Sequence, residues 1–348
     1  MKLKPSAYAP YADPEDYIMS CTDQIWEPRG MGQIRDHYRP DIKVHGAYGT
    51  VVGSEPIIRA CLQKNAAYPR RAFTGEDVVW EIRNDNSFVS AHRIINCGRQ
   101  EGFWHYGPPT FRDSVSRNVA VCLVDDGWIA EEWVVRDEWA VVEQSGHDVQ
   151  QVAASIAFGP SPELLGGASL IGEAPADPLR HGVSGPRPDH DGAEDQVVAT
   201  MIDRVWNGHL GHEVPDYFDR NVVIESTRHR TLARWDGYKD ELDHLFGPFP
   251  DAQIAPYDIA LNTDPFYGTR VSVLWKLRGS YSGVPLYGPV TYAPVDILGC
   301  SQFLMRGEKI VREWRVYDEI ALLSQIIRAQ SGGTPAVPTA PPVTVGAP

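Results

Sequence analysis

Tyr17, Cys21 and Ile25 recur at every fourth position and make one apolar helical stripe. Asp13 followed by Pro14 supplies an N-cap and a first-turn residue for that helix. A second, short helix is predicted over 34–38, stopping near Pro40. A third is predicted over 54–62, with a Ser cap and Pro56 in its first turn. The pattern then changes to β character. Residues 77–82, 88–96, 115–124 and 129–136 predict strands, and Asp125-Asp126-Gly127 predicts a hairpin turn between the last two. Helices followed by a run of antiparallel strands predict an α+β domain, its helices packed on one face of a curved sheet.

The pattern then repeats. Residues 107–144 align with 288–325 without a gap, pairing Gly107 with Gly288, Trp133 with Trp314 and Asp137 with Asp318 at a constant offset of 181. Residues 23–26 match 203–206 at an offset of 180. That period is too long for a solenoid, so each copy is expected to be a whole domain. The expected organisation is domain 1 over 13–146, a linker over 147–193 that is richest in Gly and Pro over 159–192, and domain 2 over 194–330. A disordered tail is expected over 331–348, which has almost no charge and little to bury. The two copies are expected to pack on each other as an intramolecular pseudo-dimer, with a further homodimer left open.

Composition narrows the class. Lys plus Arg is 32 against Asp plus Glu 46, a formal net charge of −14. So acidic a surface repels phosphate backbones and anionic headgroups, so neither nucleic acid nor bare membrane is an expected partner. No apolar run approaches the roughly 20 residues of a membrane helix. The N-terminal lysines have no apolar segment behind them, so no secretory signal is expected there. Five cysteines at unpaired spacings argue against a disulfide framework or a zinc cluster, and the cytoplasm is the expected compartment. There is no Gly-x-Gly-x-x-Gly after a strand, no phosphate-binding loop and no Gly-x-Ser-x-Gly elbow. No metal, nucleotide or other cofactor is expected.

The stretches DGWIAEEWVVRDEWAVVEQ and GEKIVREWRVYDEIALLSQI resemble the closing hairpin of SnoaL-like polyketide cyclases, within the nuclear transport factor 2-like superfamily. RGSYSGVPLYGPVT in the second copy is similar to the family's Gly-Pro stretch. There Tyr281 stands where the family often has His, and the first copy has Phe111 where the family has Gly. The resemblance implies two tandem α+β cone domains. It implies a cofactor-independent acid–base enzyme of lyase, isomerase or cyclase type, acting on a small aromatic or polyketide-like molecule. Cyclisation, dehydration, isomerisation and retro-aldol release share that logic. Some superfamily members cleave lignin-derived aromatic dimers, which an aromatic-rich lining would suit. The same resemblance admits a non-catalytic module for binding or association, since fold does not fix reaction.

Strand alternation puts Trp133, Val135 and Asp137 on one face, read as the cavity face, with Glu132, Val134 and Arg136 on the other. The resemblance makes Asp137 the proton-transferring carboxylate; a strand-end Asp can equally cap the following helix. His92, in a neighbouring strand of this copy only, is its expected partner, replaced in copy two by Leu274. His45, Trp104, His105, Tyr106, Trp133 and Tyr38 are expected to contact the substrate. Asp318 and Tyr281 are the corresponding candidates in copy two.

Overall fold

The computed structural model describes residues 2–159 and 194–331; of the linker expected over 147–193, residues 160–193 lie outside them, as does the tail after 331. The first domain runs α1 (Pro14–Trp26), α2 (Ile34–His37), β1 (Tyr38–Gly46), β2 (Gly49–Val52), α3 (Ser54–Ala67), β3 (Ala72–Asn84), β4 (Ser87–Arg99), β5 (Asp113–Asp125), β6 (Trp128–Arg136), α4 (Glu138–Gln144) and α5 (Val149–Phe158). The second runs α6 (Glu194–Met201), a π-helical turn (Ile202–Asn207), α7 (Val214–Tyr217), β7 (Phe218–Ser226), β8 (Arg230–Ala233), α8 (Arg234–Phe246), β9 (Gln253–Asp264), β10 (Gly268–Ser280), β11 (Pro294–Arg306), β12 (Lys309–Tyr317) and α9 (Glu319–Ser331). Each domain is one six-stranded mixed sheet, in the order β2-β1-β6-β5-β4-β3 and β8-β7-β12-β11-β10-β9. The α+β tandem architecture is therefore present, strand for strand.

Local signals account for most of these elements. The Asp13 carboxylate accepts the Asp16 N–H at 2.8 Å and starts α1. Asp126 and Gly127 both have positive φ, 51° and 79°, the geometry of a tight hairpin turn between β5 and β6. Two expectations differ. The N-cap position of α3 is Gly53, not Ser54, with no side-chain cap bond, and the helix runs five residues past 62 because Ile58, Cys61 and Ala67 go on burying one face. The segment read as linker begins with α5, which is capped by Asp148 and packs on α9 of the other domain.

The sheets pack on each other. Val79, Val89, Ala91, Val119, Val121 and Val135 meet Ala260, Leu274, Leu298, Cys300 and Val316 in one buried cluster. Polar bonds cross it: Arg83 to Asp258 at 2.8 Å, Arg117 to Glu225 at 2.8 Å, and Gln302 Nε2 to the Ala91 carbonyl at 2.8 Å. Arg93 lies 3.8 Å above the Trp314 ring. The other face of each sheet is covered by its own domain's helices, with Val78, Phe88, Cys122 and Val124 packed against Tyr17, Ile18 and Ile25 of α1 in the first. Each sheet thus has two buried faces, one turned to its helices and one to its twin.

Candidate functional site

A cavity of about 160 Å³ opens between the first domain's helices and its sheet. Its apolar wall comes from Trp26, Val44, Ile57, Ala60, Phe73 and Ile94, and its polar groups from Tyr38, Lys64, Arg71, Asn96, His105, Asn118, Glu132, Arg136 and Glu138. Asp318 of the second domain also reaches it, beside Tyr48 of the β1–β2 turn. Lining residues carry buried polar atoms without a hydrogen-bond partner, among them Arg71 Nη2, Asn96 Oδ1, Trp104 Nε1, both ring nitrogens of His105, Asn118 Oδ1 and Glu138 Oε2. Buried polar atoms are nearly always paired, so a cluster of unpaired ones around a single void is the mark of a ligand site.

Burial sets the protonation states. Glu132 projects inward from β6, and desolvation pushes its carboxyl up to about 7, with the Arg136 charge and the Tyr38 and Cys122 side chains pulling the other way. Desolvation also pushes the Tyr38 phenol well above its usual range. The Lys64 ammonium is lowered by burial to about 8, partly restored by Glu138, whose Oε1 lies 3.8 Å away. His105 is held neutral, down at about 3, by burial and then by Lys64 and Arg136. Asp318 is raised by burial and by the neighbouring Glu138 carboxylate.

At two facing positions, 94 and 134, this copy has smaller side chains than its twin, which leaves room for the cavity. The strand registers place Ile94, Asn118 and Val134 at the positions of Trp275, Gly299 and Arg315. Trp275 is fully buried, and a Cβ on Gly299 would come within 2.2 Å of its ring, so only glycine admits it. Arg315 donates to Glu313 at 2.8 Å and to the Tyr238 hydroxyl at 3.3 Å, beneath Trp206. The equivalent space in the second domain is filled by its own side chains.

The sequence-predicted residues fall into three groups. Tyr38, His105 and Trp104 line the cavity, as does Asp318, whose Oδ1 also accepts the Ile320 and Ala321 N–H groups at 2.9 and 3.0 Å and caps α9. His45 borders the cavity, but its ring lies on the twin-facing side. There it stacks on Trp133 at 5.1 Å, bonds Glu131 at 2.7 Å and meets Thr50 at 2.8 Å. Tyr106 is buried behind His105 and does not line the cavity.

The remaining residues lie elsewhere. The alternation of β6 is as read, but the faces are exchanged: Trp133 and Val135 point at the second sheet, while Glu132, Val134 and Arg136 line the cavity. Asp137 sits at the interface too. One oxygen accepts the Ala140 N–H at 3.2 Å and caps α4; the other accepts the Arg228 N–H at 2.8 Å. Burial pushes its carboxyl up to about 6. His92 faces α1, where Nδ1 meets Thr22 Oγ1 at 3.2 Å, and burial lowers it to about 4. Asp137 and His92 are therefore on opposite faces of one sheet and do not form a pair. The register also makes Val273, not Leu274, the counterpart of His92. Tyr281 is consumed by its loop, donating to the Gly288 carbonyl at 2.6 Å and accepting the Tyr287 N–H at 2.9 Å.

Sequence reasoning passed over Glu132, Lys64, Arg71, Arg136, Asn96 and Asn118. The available signal was a Glu and an Arg of like parity in β6, facing opposite to the tryptophan. A consequence is that Asp137→Ala should cost about 1–2 kcal/mol in urea denaturation through the lost cap. Asp137→Asn, which keeps an acceptor oxygen, should leave any turnover unchanged.

Among the described residues no group of three His, Cys, Asp or Glu side chains could hold a metal ion, and no helix is long and apolar enough to cross a membrane. Residues 196–326 match the family model for SnoaL-like polyketide cyclase. No curated protein matches the chain. Among solved structures, a protein described as a SnoaL-like polyketide cyclase from Jannaschia sp. CCS1 is 18% identical with a TM-score of 0.35, covering 40% of this chain and 97% of its own. A SnoaL-like polyketide cyclase from Agrobacterium tumefaciens is 21% identical with a TM-score of 0.31, covering 38% and 95%. TsrD from Streptomyces laurentii is 19% identical with a TM-score of 0.33, covering 37% and 92%. Each solved chain is matched almost whole by one domain's worth of this one. Residues 196–326 thus match the SnoaL-like polyketide cyclase family model, in tandem with a first domain whose six strands run in the same order.

Proposed function

We propose that the first-domain cavity is the working site of a cofactor-independent acid–base enzyme of isomerase, lyase or cyclase type, with Glu132 as the proton-transferring carboxylate. The observation that carries this reading is the ring of unpaired polar atoms around one void, with a carboxyl of pKa about 7 in its wall. As a carboxylate, Glu132 takes a proton from carbon beside a carbonyl and later returns it. Arg136, Lys64 and the neutral His105 face the same space and stabilise the enolate oxygen that develops. Asp318 and Tyr48 form the wall supplied across the domain interface. The second domain, filled by Trp275 and Arg315, then serves as scaffold. The five cysteines are free thiols, which fits a reducing compartment such as the cytoplasm.

The test is hydrogen–deuterium exchange into phenylacetone, an uncharged single-ring ketone, in D₂O followed by proton NMR. Enzyme-dependent exchange should rise with pH through about 7, as Glu132 loses its proton. It should fall again near 8, as Lys64 loses its charge. Lys64→Met should lower the maximal exchange rate and abolish the fall near pH 8. Exchange no faster than in buffer would overturn the reading and favour a binding module.

A further inference from the structure

We propose that the ligand of the first-domain cavity is a single-ring aromatic carboxylate, its charge held on the side formed by Lys64, Arg71 and Arg136. The proposal rests on this cavity being the working site and names its substrate class. Size gives the first argument. A volume of about 160 Å³ is close to that of a protein cavity that holds one benzene ring, ~150 Å³, so a single ring fills it.

Charge gives the second. Three cationic side chains meet in one small space, where burial and then the Arg136 charge lower the proton affinity of Lys64 and Arg71. Among the described residues, Lys64 is the only one of the three with a carboxylate within 4.0 Å. The carboxyls that would balance the others, Glu132 and Asp318, are pushed toward their neutral forms by burial. The field inside the cavity therefore favours an anion, although the chain as a whole carries −14.

Arg71 gives the third. Its Nε donates to Asn65 Oδ1 at 2.8 Å, while Nη2 is buried without a partner. The guanidinium lies against two rings that pack on each other, 5.2 Å from Trp26 and 4.8 Å from Phe73. A cation held by an amide oxygen and packed against aromatic rings, with one donor left over, is preorganised for a carboxylate oxygen. The same rings offer the apolar surface that the ligand's aromatic end needs.

The experiment is isothermal titration calorimetry of the full chain with benzoate and with benzamide, which has the same shape and no charge. Benzoate should bind one per chain, at least tenfold more tightly than benzamide. Arg71→Met should weaken benzoate at least tenfold and leave benzamide unchanged, with an unaltered melting temperature showing that the variant is folded. Arg71→Lys, which keeps the charge, should recover part of the loss. Equal affinity for the two probes, no binding of either, or an Arg71→Met variant that binds benzoate as before would overturn the proposal. Glu132→Gln should bind benzoate normally while losing phenylacetone exchange. Loss of benzoate selectivity with exchange intact would remove the substrate class and leave the acid–base reading standing.

Discussion

Glu132→Gln should lower turnover by about 10²–10⁴, the usual worth of a positioned acid–base group. Gln has nearly the same volume and cannot exchange a proton, so the loss would reflect chemistry and not packing. The same change should affect stability with a definite sign. The folded-state pKa of Glu132 is raised from 4.5 to about 7, so the native state binds this proton more tightly than the unfolded chain does. Its contribution is fully present below pH 4.5 and is lost as pH rises through about 7. At pH 8 the buried carboxylate therefore costs up to about 3 kcal/mol. Glu132→Gln should melt at a higher temperature than the parent at pH 8, and the gap should close at pH 4. A variant that loses turnover and gains no alkaline stability would mean that Glu132 is not the desolvated group described here.

Arg315→Leu should lower the stability of the chain by about 3–5 kcal/mol, the cost of breaking a buried ion pair from one side. Arg315 is fully enclosed, donates to Glu313 at 2.8 Å and lies 3.7 Å from Glu241, both carboxylates fully buried. Removing the cation strands Glu313, while Glu241 keeps Arg230 at 2.9 Å. The double variant Arg315→Leu with Glu313→Leu should recover much of the loss, because no charge is then left uncompensated. Urea denaturation measures both. A loss below 1 kcal/mol for the single variant would show that water reaches Glu313. The matching residue of the first domain is Val134, so no comparable ionic network stands in the way of a ligand there.

The contrast between those two positions separates what is legible in the chain from what is not. Local chemistry determined the elements. The Asp13 cap, the Asp126-Gly127 turn and the alternation of β6 each follow from steric and hydrogen-bonding preferences confined to a few residues, and each is present as the sequence predicts. The constant offset between copies likewise announced two domains of one plan, and the family resemblance of the hairpins was readable in the second copy. Trp104 and His105 were legible as cavity residues from the aromatic cluster at 103–106, whereas nothing local marked Tyr38, which also lines the cavity. The tertiary structure decided which face of each sheet is the inside. Alternation gives two faces and does not label them. A single-copy sheet with one buried face would have put the tryptophan of β6 toward its helices. Here the second domain buries the other face as well, taking Trp133, Val135 and Asp137 into the interface and leaving Glu132 and Arg136 to the cavity. Asp318 is placed by that same docking, reaching across the interface into a cavity of the other copy, and no pattern within its own strand encodes that. Whether a cone is hollow or full was decided by long-range volume complementarity, where Ile94 and Asn118 leave the space that Trp275 over Gly299 fills.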